Sequence, residues 1–292
     1  MRFDVVTFGS AVVDAFVSTE QRGKKFEYKL GSKILIDDLK FDVGGGATNS
    51  AVAFARLGLK TGCICKVGDD NNGEDVLDCL KKERVKFLGK VVGGKTGYSV
   101  ILDSRGGDRT ILTFKGPGND VRFFDIVKFR TKWLYFSSVL GESLRTQIKL
   151  AERMKRSGVK LAFNPSEYLI RAVDIRKLLV MSDVVVLNRE EFDLVGKKYG
   201  KSLLEICTGV VVVTDKDKII TCYVDGKKYF LKPHKIKVVE RTGAGDAFAS
   251  GFVAGQIVGM SIEKCLELGL EESEAVIGFF GAKNNLLKRK LR

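Results

Sequence analysis

Toward its C-terminal end the chain reads Glu240-Arg-Thr-Gly-Ala-Gly-Asp-Ala-Phe-Ala-Ser-Gly251, a carboxylate following a Gly-Ala-Gly turn. Small and apolar residues continue at helical spacing, so Asp246 falls where a helix should begin. Gly243 and Gly245, with Ala244 between them, let the backbone turn tightly and approach a ligand without Cβ interference. The free N–H groups of a first helical turn, at the positive end of the helix dipole, form an anion site. A base beside an anion cradle is the equipment for moving a phosphoryl group onto a hydroxyl. The same letters also fit a plain helix start, since Asp caps helices well, and Gly251 and Gly255 suit close helix packing.

The elements that must position these residues alternate along the chain. Asp4 to Phe8 is expected as a strand, Thr48 to Leu57 as a helix, Gly62 to Val67 as a strand and Glu74 to Arg84 as a helix. Farther on, Trp133–Phe136, Val159–Phe163, Asp183–Leu187 and Val210–Val213 read as strands. Helical patterns over Ser143–Arg156, Ile170–Met181 and Glu190–Tyr199 separate them. Continuous Val/Leu runs between polar turns suit a parallel sheet buried on both faces. The pattern predicts an α/β fold, a doubly wound and mostly parallel sheet flanked by helices. Two insertions, at about 12–41 and 96–116, break the alternation. In the second, Tyr98 to Phe114 flanks Ser104-Arg-Gly-Gly-Asp108, a hairpin by its turn chemistry. Together they predict a small β-sheet lid on one domain spanning 1–292.

Bulk composition excludes several classes. The 292 residues are 45% hydrophobic and 29% charged, ordinary for a globular chain. No apolar run approaches the ~20 residues of a membrane span, so no membrane partner is expected. The opening Met-Arg-Phe-Asp-Val-Val-Thr-Phe reads as a first strand rather than a signal peptide. Six cysteines without a C-x-x-C pair suit reduced thiols in a cytoplasmic protein, with Cys63 and Cys65 on one strand face. The single histidine, His234, rules out H-E-x-x-H zinc chemistry. The net charge of +14 comes from dispersed residues not interleaved with aromatics, so no nucleic acid is expected. A basic field of this kind also attracts an anionic nucleotide.

Two glycine-rich stretches are decoys. Gly89-Lys-Val-Val-Gly-Gly-Lys-Thr96 satisfies G-x-x-x-x-G-K-[ST], which would give Lys95 and Thr96 phosphate and magnesium roles. The β-prone run from Gly97 that follows supplies no helix N-terminus to cradle phosphates. G-x-G-x-x-G fails at Gly243-Ala-Gly245, where Phe248 takes the last position, and at Gly44-Gly-Gly46, where Asn49 does.

Several segments in order resemble the ribokinase-like (PfkB) family of sugar and nucleoside kinases, nearly end to end. They are Gly9-Ser-Ala-Val-Val-Asp14, Phe41-Asp-Val-Gly-Gly-Gly-Ala-Thr-Asn49 with Arg56-Leu-Gly58, and Val67-Gly-Asp-Asp70 with Gly73. Pro117-Gly-Asn-Asp120, Asn164-Pro165, the N-x-x-E motif Asn188-Arg-Glu-Glu191 and Thr242-Gly-Ala-Gly-Asp246 complete the series.

The resemblance implies a ribokinase-like fold and a carbohydrate kinase using ATP and Mg2+. Its product would be a phosphorylated hydroxymethyl group on a sugar or sugar-like substrate. Alternatives are a nucleoside kinase, a phosphosugar kinase using Arg105 and Arg109, or a sensor that binds nucleotide or sugar without catalysis. It implies Asp246 as general base, with the N–H groups of Gly243, Ala244 and Gly245 as anion hole. Asp14, projecting from the end of the first strand, would bind substrate with Gly45, Gly46, Asn49 and Arg109. Gly45 would let substrate lie against the backbone, and Phe16, Phe26, Phe41 or Phe114 could stack on a base. Asn188, Thr214, Thr242, Gly243 and Gly245 would bind nucleotide, and Glu191 would reach the metal through water. The N-x-x-E motif is equally a capping box. Glu240-Arg241 stands where relatives commonly have Asp-Thr, which weighs against a monovalent cation (K+) while leaving it open. Gly46 replaces the lysine of ribokinases proper. An open lid edge could pair with a second chain, giving a homodimer through the lid.

Overall fold

The computed structural model describes residues 1–18, 26–103 and 109–291. In chain order the first elements are β1 (Arg2–Phe8), β2 (Val12–Ser18), β3 (Asp38–Gly44), α1 (Gly46–Arg56), β4 (Thr61–Ile64), β5 (Lys66–Gly68) and α2 (Asn71–Lys82). Next come β6 (Lys86–Phe87), β7 (Lys90–Val92), β8 (Gly97–Asp103), β9 (Arg109–Phe114), β10 (Arg130–Ser137), α3 (Gly141–Lys155) and β11 (Lys160–Asn164). Then follow α4 (Glu167–Ala172), α5 (Arg176–Met181), β12 (Val184–Asn188), α6 (Arg189–Tyr199), α7 (Leu203–Ile206) and β13 (Val210–Thr214). The hairpin β14 (Ile220–Val224) and β15 (Lys227–Leu231) precedes the closing helices α8 (Ala244–Val258) and α9 (Ile262–Ile277).

Among the described residues, nine strands form the main sheet in the order β15-β14-β13-β12-β11-β10-β1-β4-β6. Pairing is parallel from β13 to β6 and antiparallel across β13, β14 and β15. Val184–Leu187 and Val211–Val213 are buried, as a sheet covered on both faces requires. One layer packs Phe8, Phe136 and Phe163 against residues of α3, α5 and α6. The opposite layer packs Phe54, Tyr135 and Val212 against Phe252 and Leu266.

Helix α8 is the buried spine of that second layer. A Cβ on Gly251 would lie 2.7 Å from the Leu268 carbonyl oxygen, and one on Gly255 would lie 2.8 Å from Cys265 Sγ. These two glycines let α8 and α9 approach closely, the packing role their spacing suggested.

A separate four-stranded sheet has the order β3-β2-β8-β9. It is built from the two insertions; the turn at 104–108 and Arg105 lie outside the described residues. β2 runs antiparallel to β3 and parallel to β8, and β8 runs antiparallel to β9.

Three local expectations change. Gly62 to Val67 is not one strand: β4 belongs to the main sheet, while β5 pairs with β7 in a two-stranded sheet. Lys66 explains the break, since its buried ammonium must reach Asp125 Oδ2 at 2.9 Å and the Asp120 carbonyl at 2.6 Å. The helix expected over Ile170–Met181 is two helices. Between them Asp174 Oδ1 accepts from the Arg176 N–H at 2.9 Å, an aspartate competing for backbone donors. Asp14 does not project from the first strand; it sits in β2. After β1 the chain crosses at Gly9–Ala11 into the small sheet, which carries Asp14 with it.

All six cysteines are free, and Cys63 Sγ and Cys65 Sγ stand 3.9 Å apart. Among the described residues, no helix is long and apolar enough to cross a membrane.

Candidate active site

The site begins where β1 gives way to the small sheet. Gly44, Gly45 and Gly46 link β3 to α1, and each glycine has a steric reason. A Cβ on Gly44 would lie 1.8 Å from Asp14 Oδ2, one on Gly45 2.4 Å from the Ser10 carbonyl oxygen, and one on Gly46 2.6 Å from Ser137 Oγ. Gly45 also has φ of 100°, outside the range L side chains tolerate. The space that Gly45 leaves open is therefore taken by the Ser10–Ala11 backbone, a use different from the ligand approach expected of it.

This close passage brings Asp14, Asn49 and Asp246 to one cavity of about 640 Å³, within the range of small-molecule sites. Gly45, Gly46, Thr242 and Gly243 also line it. A second cavity of about 230 Å³ is lined by Arg109, Asn188, Glu191, Thr214, Gly243 and Gly245. Asp246 borders both. The smaller cavity lies past the C-terminal ends of β12 and β13, where open α/β sheets bind ligands. Arg109, grouped with the substrate residues and also resembling an arginine that relatives extend toward the phosphates, lines this second cavity.

Asp246 stands in the first turn of α8, whose N-cap Gly243 is left-handed at φ 80°. A Cβ on Gly243 would overlap Ala282, so glycine is needed there on two counts. A Cβ on Gly245 would meet nothing within 4 Å, so the backbone beside Gly245 is open to a ligand. The first-turn N–H groups precede the helix's own acceptors.

Burial pushes the Asp246 carboxyl up from the ordinary aspartate range, opposed by the Asn49 hydrogen bond and by the Lys283 and Lys115 ammonium groups. Asn49 Nδ2 donates to Asp246 Oδ2 at 2.9 Å. Lys283, 4% exposed, directs Nζ toward Asn49 Oδ1 at 3.4 Å and Asp42 Oδ1 at 3.8 Å. Its own carbonyl accepts from Arg56 Nη1 at 2.7 Å, and Arg56 is paired with Glu83. Burial likewise raises the Asp14 carboxyl, opposed chiefly by a hydrogen bond from Ser99.

At the other cavity Asn188 and Glu191 form a reciprocal capping box at the start of α6. Asn188 Oδ1 accepts from the Glu191 N–H at 2.9 Å, and Glu191 Oε2 accepts from the Asn188 N–H at 2.8 Å. Glu191 Oε1 accepts a third bond, from the Glu167 N–H at 3.2 Å. Burial raises its carboxyl to about 7. Each oxygen already has one donor, yet a carboxylate offers about four lone-pair sites, so a metal-bound water can still be held. Among the described residues no cluster of three metal-ligating side chains occurs. Arg109 Nη1 donates to Thr242 Oγ1 at 2.6 Å and also pairs with Glu240, fastening β9 to the approach to α8.

Sequence reasoning missed Lys115, Lys283, Tyr168 and the serines Ser99, Ser137 and Ser138. Nothing in Gly-Ala-Lys283 marks it, whereas Lys115 directly precedes the Gly116–Asn119 loop. The stretch after Lys95 is β8, so no helix follows the Gly89–Thr96 decoy.

With the geometry in place, relatives agree on the chemistry. A family model described as pfkB family carbohydrate kinase matches residues 2–289. A 5-dehydro-2-deoxygluconokinase of Clostridium perfringens is 29% identical, over 92% of this chain and 85% of that protein. A cytidine kinase of Thermococcus kodakarensis is 29% identical, over 82% and 88%. The solved adenosine kinase of Sinorhizobium meliloti superposes with a TM-score of 0.82 at 21% identity, covering 99% of this chain and 96% of that one. The chain belongs to the pfkB family of carbohydrate kinases, phosphotransferases with an alcohol group as acceptor.

Proposed function

We propose that this chain transfers the γ-phosphoryl group of ATP to a hydroxymethyl group of a sugar or sugar-like acceptor. The observation that carries the reading is Asp246 at the junction of the two cavities. The acceptor would fill the larger cavity and the triphosphate the smaller one. Asp246 takes the proton of the acceptor hydroxyl while its oxygen forms a bond to the γ-phosphorus. The bond from that phosphorus to the β,γ-bridging oxygen breaks, and ADP leaves with that electron pair. First-turn N–H groups of α8 stabilise charge on the transferring group. Mg2+, when bound, would neutralise phosphate charge, with Glu191 holding one of its waters. Asn188 and Thr214 lie on the nucleotide side, and the small sheet acts as a lid over the acceptor.

Relatives named for a sugar-type and a nucleoside acceptor both exist. The larger cavity favours the sugar type, because Tyr168 is its one aromatic lining residue among those described. Phe16 is buried edge-on against Phe280, while Phe41 and Phe114 are exposed on the opposite face of the small sheet; Phe26 does not line the cavity. A nucleobase would lack the stacking surface it needs.

A phosphate-transfer screen across sugars, sugar acids, sugar phosphates and nucleosides, run with Asp246→Asn beside the native protein, tests the reading. Turnover of a sugar-type acceptor that falls about 10²–10⁴-fold in the variant is the expected result. Nucleosides as the only acceptors, or a variant with full activity, would overturn it.

A homodimer through the lid is the second element of the reading. The lid face opposite Asp14 exposes Leu39 and Phe41 on one edge strand, β3, and Leu112 and Phe114 on the other, β9. A second copy would cover them. Sedimentation at the monomer mass across the micromolar range would eliminate it.

A further inference from the structure

Lys115, just past β9, lines the larger cavity together with Asp14, Asp246 and Tyr168. Its ammonium sits 4.9 Å from the centre of the Tyr168 ring. Among the described residues it has no hydrogen-bond or ion-pair partner. Other cations near the site are committed: Arg109 to Glu240 and Thr242, Lys66 to Asp125, and Lys283 to Asn49 and Asp42. Burial holds the Lys115 ammonium below the ordinary lysine range, although Asp14 and Asp246 pull the other way. A partly desolvated ammonium facing a cavity, with no acceptor of its own, is a receptor for an oxygen brought by a ligand.

The charges around it limit what that oxygen belongs to. Among the described residues, two carboxylates and one ammonium line this cavity, with no guanidinium. A phosphate dianion would put two more negative charges beside Asp14 and Asp246 and would find no bidentate arginine among the described residues. A carboxylate adds only one charge and gives the ammonium an ionised acceptor at hydrogen-bond distance, which Asp14 and Asp246 do not. A neutral hydroxyl would give the ammonium a hydrogen bond but no ionic partner in contact, leaving only the more distant pull of Asp14 and Asp246.

We propose that Lys115 binds the carboxylate of the acceptor, which makes the substrate of this kinase a sugar acid. The inference rests on the reading of the larger cavity as the acceptor site, with Asp246 at the reacting hydroxyl. Lys115 is then a specificity residue, and the diol-binding and reacting ends of the acid fall to Asp14 and Asp246.

The test measures kcat/KM for six-carbon aldonates and keto-deoxyaldonates, each against the neutral aldose or alditol of equal length, with nucleosides included. The native enzyme is expected to prefer an acid over its neutral counterpart by about 100-fold or more, because a site built for a charged partner rejects the analogue lacking it. Lys115→Met should reduce that preference below about tenfold, and Lys115→Arg should restore most of it. Neutral acceptors used as well as acids, no turnover of any acid, or a Lys115→Met loss equal for both kinds would each overturn the proposal. Should Lys115→Met fail to fold, the acid-to-neutral ratio of the native enzyme still decides. The Asp246→Asn comparison separates the two readings. Turnover that requires Asp246 yet favours neutral sugars sinks this inference alone, whereas turnover indifferent to Asp246 sinks the assignment of the base.

Discussion

Asn49 Nδ2 donates to Asp246 Oδ2 at 2.9 Å, joining two residues 197 positions apart in the chain. The other end of the Asn49 amide faces the buried ammonium of Lys283 at 3.4 Å. A cation on the carbonyl side fixes which way the amide points, and so keeps its N–H donors on the carboxylate. Asp246 thereby receives both a hydrogen bond and, one step back, a positive charge, each opposing the upward push of burial.

The first prediction concerns pH. A general base works only when deprotonated, so the proposed role of Asp246 makes activity fall as pH drops through its pKa. Lys283→Met and Asn49→Leu each remove an influence that lowers this pKa. Both should move the acid limb of the kcat profile to higher pH. Asn49→Leu should also lower kcat about 10–100-fold by disorienting the base. Profiles that superpose on the native one would show that neither residue tunes Asp246.

A second prediction concerns the contact between Arg109 and Glu240. Glu240 is 9% exposed, and Arg109 provides its counter-charge from β9. Arg109→Met strands that carboxylate and should destabilise the fold by about 1–3 kcal/mol. The double variant Arg109→Met/Glu240→Gln should recover part of this, giving a coupling that a denaturation cycle measures. Additive losses would mean that the pair contributes nothing jointly.

The glycine link into α1 gives the third. Gly45→Ala imposes φ of 100° on a residue with a Cβ and drives that Cβ to 2.4 Å from the Ser10 carbonyl. Strain and overpacking together should destabilise by about 2–4 kcal/mol. The same change at Gly245, where a Cβ meets nothing within 4 Å, should leave the urea midpoint nearly unmoved. Equal shifts at both positions would contradict the packing described.

The fourth prediction lies away from the cavities. Glu272 of α9 is fully buried; Oε1 has no partner among the described residues, and Oε2 accepts from the Leu287 N–H at 3.3 Å. Burial raises its carboxyl to about 7 from an ordinary 4.5. The folded chain then holds a proton that the unfolded chain has released, so the contribution is fully present below about 4.5 and lost as pH rises through 7. Urea unfolding at pH 5 and pH 8 should show Glu272→Gln flattening this decline and gaining stability at pH 8. Glu191, also near 7, supplies a decline that this variant retains. A variant that is less stable at pH 8 would refute the assignment.

Much of the molecule was legible without coordinates because its signals are local. The Val/Leu runs at Asp183–Leu187 and Val210–Val213 marked buried parallel strands, since a strand covered on both faces has no polar alternation. Gly243-Ala-Gly-Asp246 marked a turn entering a helix, and Asn188-Arg-Glu-Glu191 a capping box, because caps involve residues three or four apart. Local reasoning failed where a partner lay far away. Lys66 broke an otherwise strand-like run to reach Asp125, and Asp14 moved into a different sheet from the one its position suggested.

The sequence by itself determined the alternating α/β order, the anion-cradling turn with its carboxylate, and the order of motifs that marks the family. Tertiary structure alone decided which side chains meet there. With 50 lysines and arginines in the chain, nothing local distinguishes Lys283 from a solvated surface lysine, and a place just before Gly116–Asn119 does not by itself show what Lys115 faces. Both acquire meaning only when crossovers between two sheets bring β2, α1, α8 and the segment after β9 around one cavity, with the segment after α9 packed behind Asn49. Burial then turns ordinary charges into groups that must find a partner, within the protein for Lys283 and on a ligand for Lys115.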